Sequence, residues 1–190
     1  RHSSSAASDV YKRQILGTKS LQNRSYMQAH GTSTPQNRVT ESHIFNELAK
    51  AFAIKEWPIT AIKAYIGHSL ACASADQLIA SLGVWEQGII PGITTTQSIA
   101  EYVFDKNLKF LLDHREIYEG EIESVFINSK GFGGNNATAA VLSPAVTKKM
   151  MLKKHGESAL KKYRKQNQIV QENIRDYDRK MTAGTMLPIY

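Results

Sequence analysis

The sequence predicts an α/β fold, in which short apolar strands alternate with longer helical segments. Strand-like apolar runs recur along the first three quarters of the chain, at residues 26–29, 59–65, 108–111, 122–128 and 137–142. Between them lie segments whose apolar residues repeat at helical spacing, at 41–53 and 69–86. Strands that alternate with helices favour a sheet covered by helices.

The first of these elements form a strand, a helix and a second strand. Residues 26–29 are expected to form a short buried strand that leads into a turn at His30. Residues 41–53 carry apolar side chains at helical spacing, and Thr40 is available as the N-cap. Residues 59–65 alternate between apolar and other side chains, which predicts a strand that Gly67 ends. In such a strand the Lys63 side chain would point inward.

The helix predicted over residues 69–86 is rich in small side chains. Small residues favour a helix buried against other backbone, and Cys72 is expected to be one of its buried packing residues. Residues 89–93 suggest a loop or an edge segment, and 108–111 a short strand. Residues 122–128 and 137–142 predict two adjacent strands joined by a glycine-rich loop.

The two ends of the chain differ from its middle. Residues 1–14 resemble the translation of a sequencing adapter, the alternative being a disordered serine- and alanine-rich tail, and they are left out of fold reasoning. Residues 147–190 are charged and predict one or two surface helices, or else a disordered basic tail. Both ends look cut. The globular domain is therefore expected over residues 15–146.

Charge and cysteine content limit the classes of function. The net charge of +7 arises from the two ends, because residues 15–147 carry −2. A nucleic-acid-binding role is not favoured, and an acidic protein partner or simple solvation explains the basic segment better. The sequence contains no run of 18 apolar residues, so no membrane-spanning helix is predicted. The single cysteine allows no internal disulfide, and we expect a cytoplasmic protein.

Three motifs could carry chemistry: HGTSTP at 30–35, IKAYIGHSL at 62–70 and NSKGFGGNN at 128–136. His30 and His68 each stand where a strand ends, beside small residues that allow a ligand to approach. A neutral imidazole there can donate a hydrogen bond to a developing oxyanion. Either histidine alone could instead be structural, and a zinc site is disfavoured because no third ligand stands at a usual spacing.

The order of these motifs resembles the C-terminal half of a β-ketoacyl-[acyl carrier protein] synthase, a thiolase-fold condensing enzyme, over roughly residues 26–143. The resemblance implies a layered thiolase-like fold of which this chain is the second half. It also implies a homodimer, acyl carrier protein as partner, and no metal or redox cofactor, since the phosphopantetheine arm arrives on the carrier protein. The cysteine nucleophile belongs to the N-terminal half, so this chain alone is expected to be inactive and poorly stable.

The resemblance also assigns roles to residues of this chain. It places His30 and His68 at the thioester oxygen of the malonyl substrate, with Lys63 supporting them through a glutamate. Contacts to the substrate arm or the acyl pocket are implied for Thr32, Thr34, Phe132 and Gly133. Hydroxyls that only stabilise the turn, and a tight hairpin with a core phenylalanine, are the alternatives.

Three positions depart from the family pattern. Gln77 stands where the glutamate partner of Lys63 is expected, with Asp76 adjacent. Arg38 replaces an aspartate found in many members, and Lys130 an aromatic residue. Arg38 and Gln77, together with the basic C-terminal segment, resemble the long bacterial subtype of the family.

The implied function is decarboxylative condensation in fatty acid biosynthesis. A polyketide-type ketosynthase would use the same residues. A non-catalytic partner subunit, which would shape the pocket of an active sister, is the third possibility.

Overall fold

The computed structural model describes residues 16–187, without the side chain of Phe132. Over these residues the chain forms two compact units, residues 16–145 and 146–187. The segment 1–14 lies outside the described residues, so its expected foreign origin stays a prediction.

The first unit is built on a five-stranded mixed sheet. Its strands are β1 (Ser25–Gln28), β2 (Trp57–Thr60), β4 (Leu108–Phe110), β6 (Ser124–Gly131) and β7 (Asn135–Leu142). They lie in the order β4-β2-β1-β6-β7, and all neighbouring pairs are parallel except the antiparallel pair β6 and β7. A separate ribbon pairs β3 (Ile89–Ile90) with β5 (Arg115–Glu116). The α/β prediction is thereby confirmed.

Helices cover both faces of this sheet. Helix α1 (Thr18–Asn23) precedes β1, α2 (Pro35–Ala51) follows it, and the short α3 (Lys63–Ile66) follows β2. A 3₁₀ turn over Leu70–Cys72 leads into α4 (Ala73–Gln87). Strand side chains alternate between two cores, one shared with α2 and the other with α4.

Aromatic packing fixes the core beneath α2. Trp57 and Phe126 meet edge to face, with ring centroids 5.2 Å apart, and both are fully buried. The indole Nε1–H of Trp57 donates to Ser25 Oγ at 3.0 Å, so its polar atom is satisfied inside the core. On the opposite face, Tyr26 and Val125 pack in the core that α4 covers.

Two predicted element boundaries are wrong. The strand expected over 59–65 ends at Thr60, whose carbonyl accepts from the Ala29 amide at 2.8 Å, where β1 has also ended. With no strand beside it, the chain closes a helical turn, so Lys63 begins α3 instead of pointing inward from a strand. Helix α2 begins at Pro35 rather than after Thr40, because proline suits the first helical position.

The expectation of a buried helix over 69–86 is half right. The helix buries one face, through residues that include Gln77 and Ser81. Its other face leaves Ile79 68% and Leu82 49% exposed in this chain. Cys72 is exposed as well, which corrects its predicted burial, because it lies in the 3₁₀ turn before the helix.

The second unit is helical as far as Thr182, as part of α5 (Pro144–Thr182). Gly156 interrupts it with φ 76° and ψ 169°, values outside the helical region. No residue of α5 is buried. Among residues 16–187, none of the helices is long and apolar enough to cross a bilayer.

Candidate active site

Two histidines meet at the ends of neighbouring strands. His30 follows β1 and is only 4% exposed, whereas His68 lies in the exposed loop between α3 and the 3₁₀ turn. Their ring centroids are 5.1 Å apart, with the planes at 84°. Because β1 and β2 are parallel, the loops that follow them emerge at the same edge of the sheet. The motifs at 30–35 and 62–70 are therefore brought together.

Both rings have their Nδ1 atom engaged as an acceptor. The Lys63 ammonium lies 3.4 Å from His30 Nδ1, and the Leu70 amide donates to His68 Nδ1 at 3.0 Å. In a neutral imidazole whose Nδ1 accepts, the proton resides on Nε2. Each histidine is thereby prepared to donate a hydrogen bond from Nε2.

The surroundings of His30 keep its ring uncharged. Burial, followed by the Lys63 ammonium, lowers the pKa of His30 below its ordinary value, and the Glu41 carboxylate opposes this. Burial likewise lowers the pKa of Lys63, while the carboxylates of Glu41 and Asp76 favour its charged form. A neutral donor beside a cation suits a centre where negative charge develops.

Glu41 fixes the backbone of the His30 turn. Its buried carboxylate accepts from the amides of His30 at 2.7 Å and Gly31 at 3.0 Å. The side-chain amides of Asn37 and Asn128 donate to it at 2.9 and 2.8 Å. Four donors satisfy the charge, so Glu41 connects the HGTSTP turn with β6.

A cavity of about 440 Å³ opens beside His68 and is also lined by Ala29 and Gly31, the neighbours of His30, but not by His30 itself. Its polar lining includes Lys63, His68, Glu41, Arg38 and Thr32, with further serine, threonine and asparagine side chains. The remaining wall is largely apolar, with side chains that include Phe45, Ile59, Ile93, Val103 and Phe110. A mostly apolar cleft with a few converging polar groups is typical of a small-molecule or acyl-chain site.

The other predicted contact residues are placed differently. Thr34 is the N-cap residue of α2 and is not part of the cavity lining. Gly133 lies in the exposed 3₁₀ turn between β6 and β7, with φ 78°. The Phe132 side chain lies outside the described residues, so its role stays a prediction. Between residues 16 and 187, no three His, Cys, Asp or Glu side chains form a metal-binding group.

Two further residues of this site carried no role in the sequence analysis. Glu41 entered there only as the first residue of the helical segment 41–53, and Asn128 only as the first residue of the glycine-rich motif. The hydrogen bond between them cannot be found from sequence spacing, because Glu41 and Asn128 are 87 residues apart. The available signal in the sequence was a charged residue, Glu41, at the start of a segment whose apolar residues repeat at helical spacing.

Comparison with known proteins places these features in one family. The family model described as "Beta-ketoacyl synthase, C-terminal domain" matches residues 2–97. The chain is 46% identical over 178 residues to the β-ketoacyl-[acyl-carrier-protein] synthase FabY of Pseudomonas aeruginosa, covering 93% of this chain and 28% of that protein. It is 36% identical over 113 residues to 3-oxoacyl-[acyl-carrier-protein] synthase 1 of Escherichia coli, covering 60% and 26% respectively.

A solved structure extends the likeness to three dimensions. The crystal structure of the ketosynthase FabY from P. aeruginosa matches 97% of this chain and 29% of its own, with a TM-score of 0.88 and 43% identity. The thiolase-like layered fold is thereby confirmed. This chain spans less than a third of these relatives.

Proposed function

Because the chain belongs to the β-ketoacyl synthase family, as its C-terminal domain, we propose that it supplies the decarboxylation half of a condensing enzyme of fatty acid biosynthesis. The whole enzyme is a 3-oxoacyl-[acyl carrier protein] synthase, an acyltransferase. It joins malonyl-acyl carrier protein to an acyl thioester. The single observation that carries this proposal is the pair of histidines whose Nδ1 atoms both accept hydrogen bonds.

The reaction needs two donors at one oxygen. When the malonyl thioester loses its carboxylate as carbon dioxide, the electron pair moves to the thioester oxygen and forms an enolate. The Nε2–H groups of His30 and His68 donate to that oxygen without being consumed. The enolate carbon then attacks an acyl group held as a thioester on a cysteine of the N-terminal half. The cysteine sulfur leaves as thiolate, and the 3-oxoacyl product forms.

Lys63 supports this arrangement in two ways. Its ammonium donates to His30 Nδ1 and so keeps the proton on Nε2. Its positive charge also stabilises the developing enolate at short range. The cavity beside the histidines takes the substrate arm, with Thr32 in its lining and Thr34, Phe132 and Gly133 as further contacts that the family resemblance supplies.

The setting of the enzyme follows from the same proposal. Acyl carrier protein delivers the phosphopantetheine-linked substrate, two copies of the whole enzyme form a homodimer, and the reaction proceeds in the cytoplasm. The chemistry assigned to the two imidazoles requires neither a metal nor a redox cofactor. Low-level decarboxylation without an acyl primer is therefore expected of the whole enzyme, and it gives a direct assay of the histidine pair.

The test uses the whole enzyme with malonyl-acyl carrier protein as substrate. His30→Ala and His68→Ala should each lower the decarboxylation rate by about 10²–10³-fold, since each removes one donor to the oxyanion. His155→Ala, in the exposed second unit, is the matched control and should leave the rate unchanged. Wild-type rates in both site variants would overturn the proposal and favour a non-catalytic partner subunit.

A further inference from the structure

We propose that Gln77 is a positioning residue, whose amide joins the ends of β1 and β6 behind His30 and which a glutamate cannot replace. Its catalytic consequence rests on the proposed function, whereas its structural consequence does not. The position is the one at which the family resemblance implies a glutamate partner for Lys63.

The side chain of Gln77 is fully buried between helix and sheet. Its Nε2 lies 3.2 Å from the carbonyl oxygen of Gln28, 2.8 Å from that of Ala29 and 3.1 Å from that of Asn128. Three surrounding carbonyl oxygens require a donor, so this atom is the nitrogen and not the oxygen of the amide. One side chain of α4 thus satisfies backbone acceptors on two strands.

These three carbonyls lie directly behind the histidine turn. Ala29 precedes His30, and Asn128 is the residue whose side chain donates to Glu41. Glu41 in turn accepts from the His30 amide. The Gln77 amide therefore fixes the main chain on both sides of the network that orients His30.

A carboxylate at residue 77 would reverse the electrostatics of this contact. An ionised glutamate would turn an oxygen toward three carbonyl oxygens, and the Oε1 atom of Gln77 already has no hydrogen-bond partner among the described residues. Buried in this way, the carboxyl group of the glutamate would have a raised pKa, and the chain would fold only with that group protonated. The protonated carboxyl group offers one O–H donor to three carbonyl acceptors. The glutamine is therefore required by the site and is not a neutral substitute.

The charge that a glutamate would give to Lys63 comes from elsewhere in this chain. Glu41 and Asp76 are the carboxylates that favour the charged form of Lys63. Asp76 also accepts from the Ser69 hydroxyl, in the residue after His68. In this chain Glu41 and Asp76 thus supply the negative charge near Lys63, and Gln77 makes the backbone contact.

The experiment compares Gln77→Glu and Gln77→Met with wild type in the whole enzyme. Gln87→Glu, at the exposed end of the same helix, is the matched control. Thermal unfolding is followed between about pH 5.5 and 8.5, bracketing the ordinary histidine range, and malonyl-acyl carrier protein decarboxylation gives kcat and KM. The unfolding readout needs no active enzyme.

For Gln77→Glu, the fall in Tm relative to wild type should grow as pH rises. A carboxyl whose folded-state pKa is raised must stay protonated to fold, so the penalty increases above the unfolded pKa of about 4.3. Gln77→Met should lower Tm by an amount that does not depend on pH. Both variants should lower kcat, by up to about 10²-fold for a displaced His30, with KM little changed.

Three results would overturn the inference. A Gln77→Glu enzyme with wild-type Tm and kcat would show that the site accepts a carboxylate. A Tm loss that does not vary with pH would contradict the buried-carboxylate argument. Unchanged kcat in the Gln77→Met variant would reduce Gln77 to a structural role, and this variant decides the matter if Gln77→Glu does not fold. The proposed function alone would be contradicted by a different pair of results. These are a wild-type decarboxylation rate in His30→Ala and a pH-dependent Tm loss in Gln77→Glu.

Discussion

Glu41 holds the main chain of His30 from eleven residues away, through a 2.7 Å hydrogen bond between Oε1 and the His30 amide. The orientation of the His30 side chain is thus set through its own backbone. Because the carboxylate is buried and also accepts from Gly31, Asn37 and Asn128, its loss would leave several donors unpaired.

Glu41→Gln should therefore destabilise the whole enzyme. The substituted amide turns an NH₂ group toward donors, and each buried group left unpaired costs about 1–3 kcal/mol. Chemical denaturation of the variant measures this loss of unfolding free energy. Glu47→Gln on the same helix is the control, since its partner Lys50 is 3.9 Å away and both side chains are exposed. Equal stability of the two variants would contradict the role given to Glu41.

Gly31→Ala should disturb the turn after His30. Gly31 has φ +58°, and a Cβ atom there would lie 2.5 Å from the Cβ of Ala61. The left-handed conformation alone costs about 1–2 kcal/mol for a residue with a Cβ, and the overlap adds to it. Thermal unfolding and the decarboxylation rate should both fall.

Gly83→Ala is the matched control for that substitution. Gly83 lies inside α4, and its added Cβ would meet nothing within 4 Å. Alanine is favoured over glycine in a helix interior by about 0.8–1.0 kcal/mol. A Gly31→Ala enzyme as stable as the Gly83→Ala enzyme would refute the steric argument.

The pH dependence of decarboxylation should reveal the lowered pKa of His30. Burial and the Lys63 ammonium keep the ring neutral, so the ionisation of His30 should affect kcat/KM only below the ordinary histidine value of 6.5. Lys63→Met removes the adjacent positive charge, and the acidic limb should then move to higher pH. Lys55→Met, an exposed site, should leave the profile in place. An acidic limb that does not move in Lys63→Met would show that the ammonium has no influence on the ring.

The 190-residue chain by itself should neither condense thioesters nor unfold cooperatively. Condensation is not expected because its single cysteine, Cys72, is not in the position of a nucleophile in the family pattern. Low stability is expected because apolar side chains are exposed, among them Leu70 at 69% in the turn before α4 and Ile79 at 68% in α4. Size-exclusion chromatography and thermal unfolding test the stability, and a condensation assay the activity. A soluble monomer with a single cooperative transition, or measurable condensation, would contradict this expectation.

The sequence predicted the parts of the fold that depend on local pattern. The strands β1, β4, β6 and β7 follow from apolar runs. The convergence of His30, His68 and Lys63 was implied by the resemblance of their motifs to the β-ketoacyl synthase family. The boundaries at Thr60 and Pro35 did not, because the first depends on where a neighbouring strand ends and the second lies in a polar stretch. The predicted burial of Cys72 failed because small side chains indicate packing without indicating which part of the chain packs.

The polar network behind His30 was the part that sequence could not provide. Gln77 was noticed as a departure from the family, but the direction of its amide depends on carbonyls of β1 and β6 that lie about 50 positions away in either direction. Hydrogen bonds across that separation have no periodic signature. Only the folded arrangement distinguishes a lost ion pair from a gained backbone contact.

The contact between Gln77 and the three carbonyls has an evolutionary consequence. On the role proposed for Gln77, the glutamate that the family resemblance implies at this position would destabilise this chain. Members of one family can thus be separated by one position whose alternatives are not interchangeable.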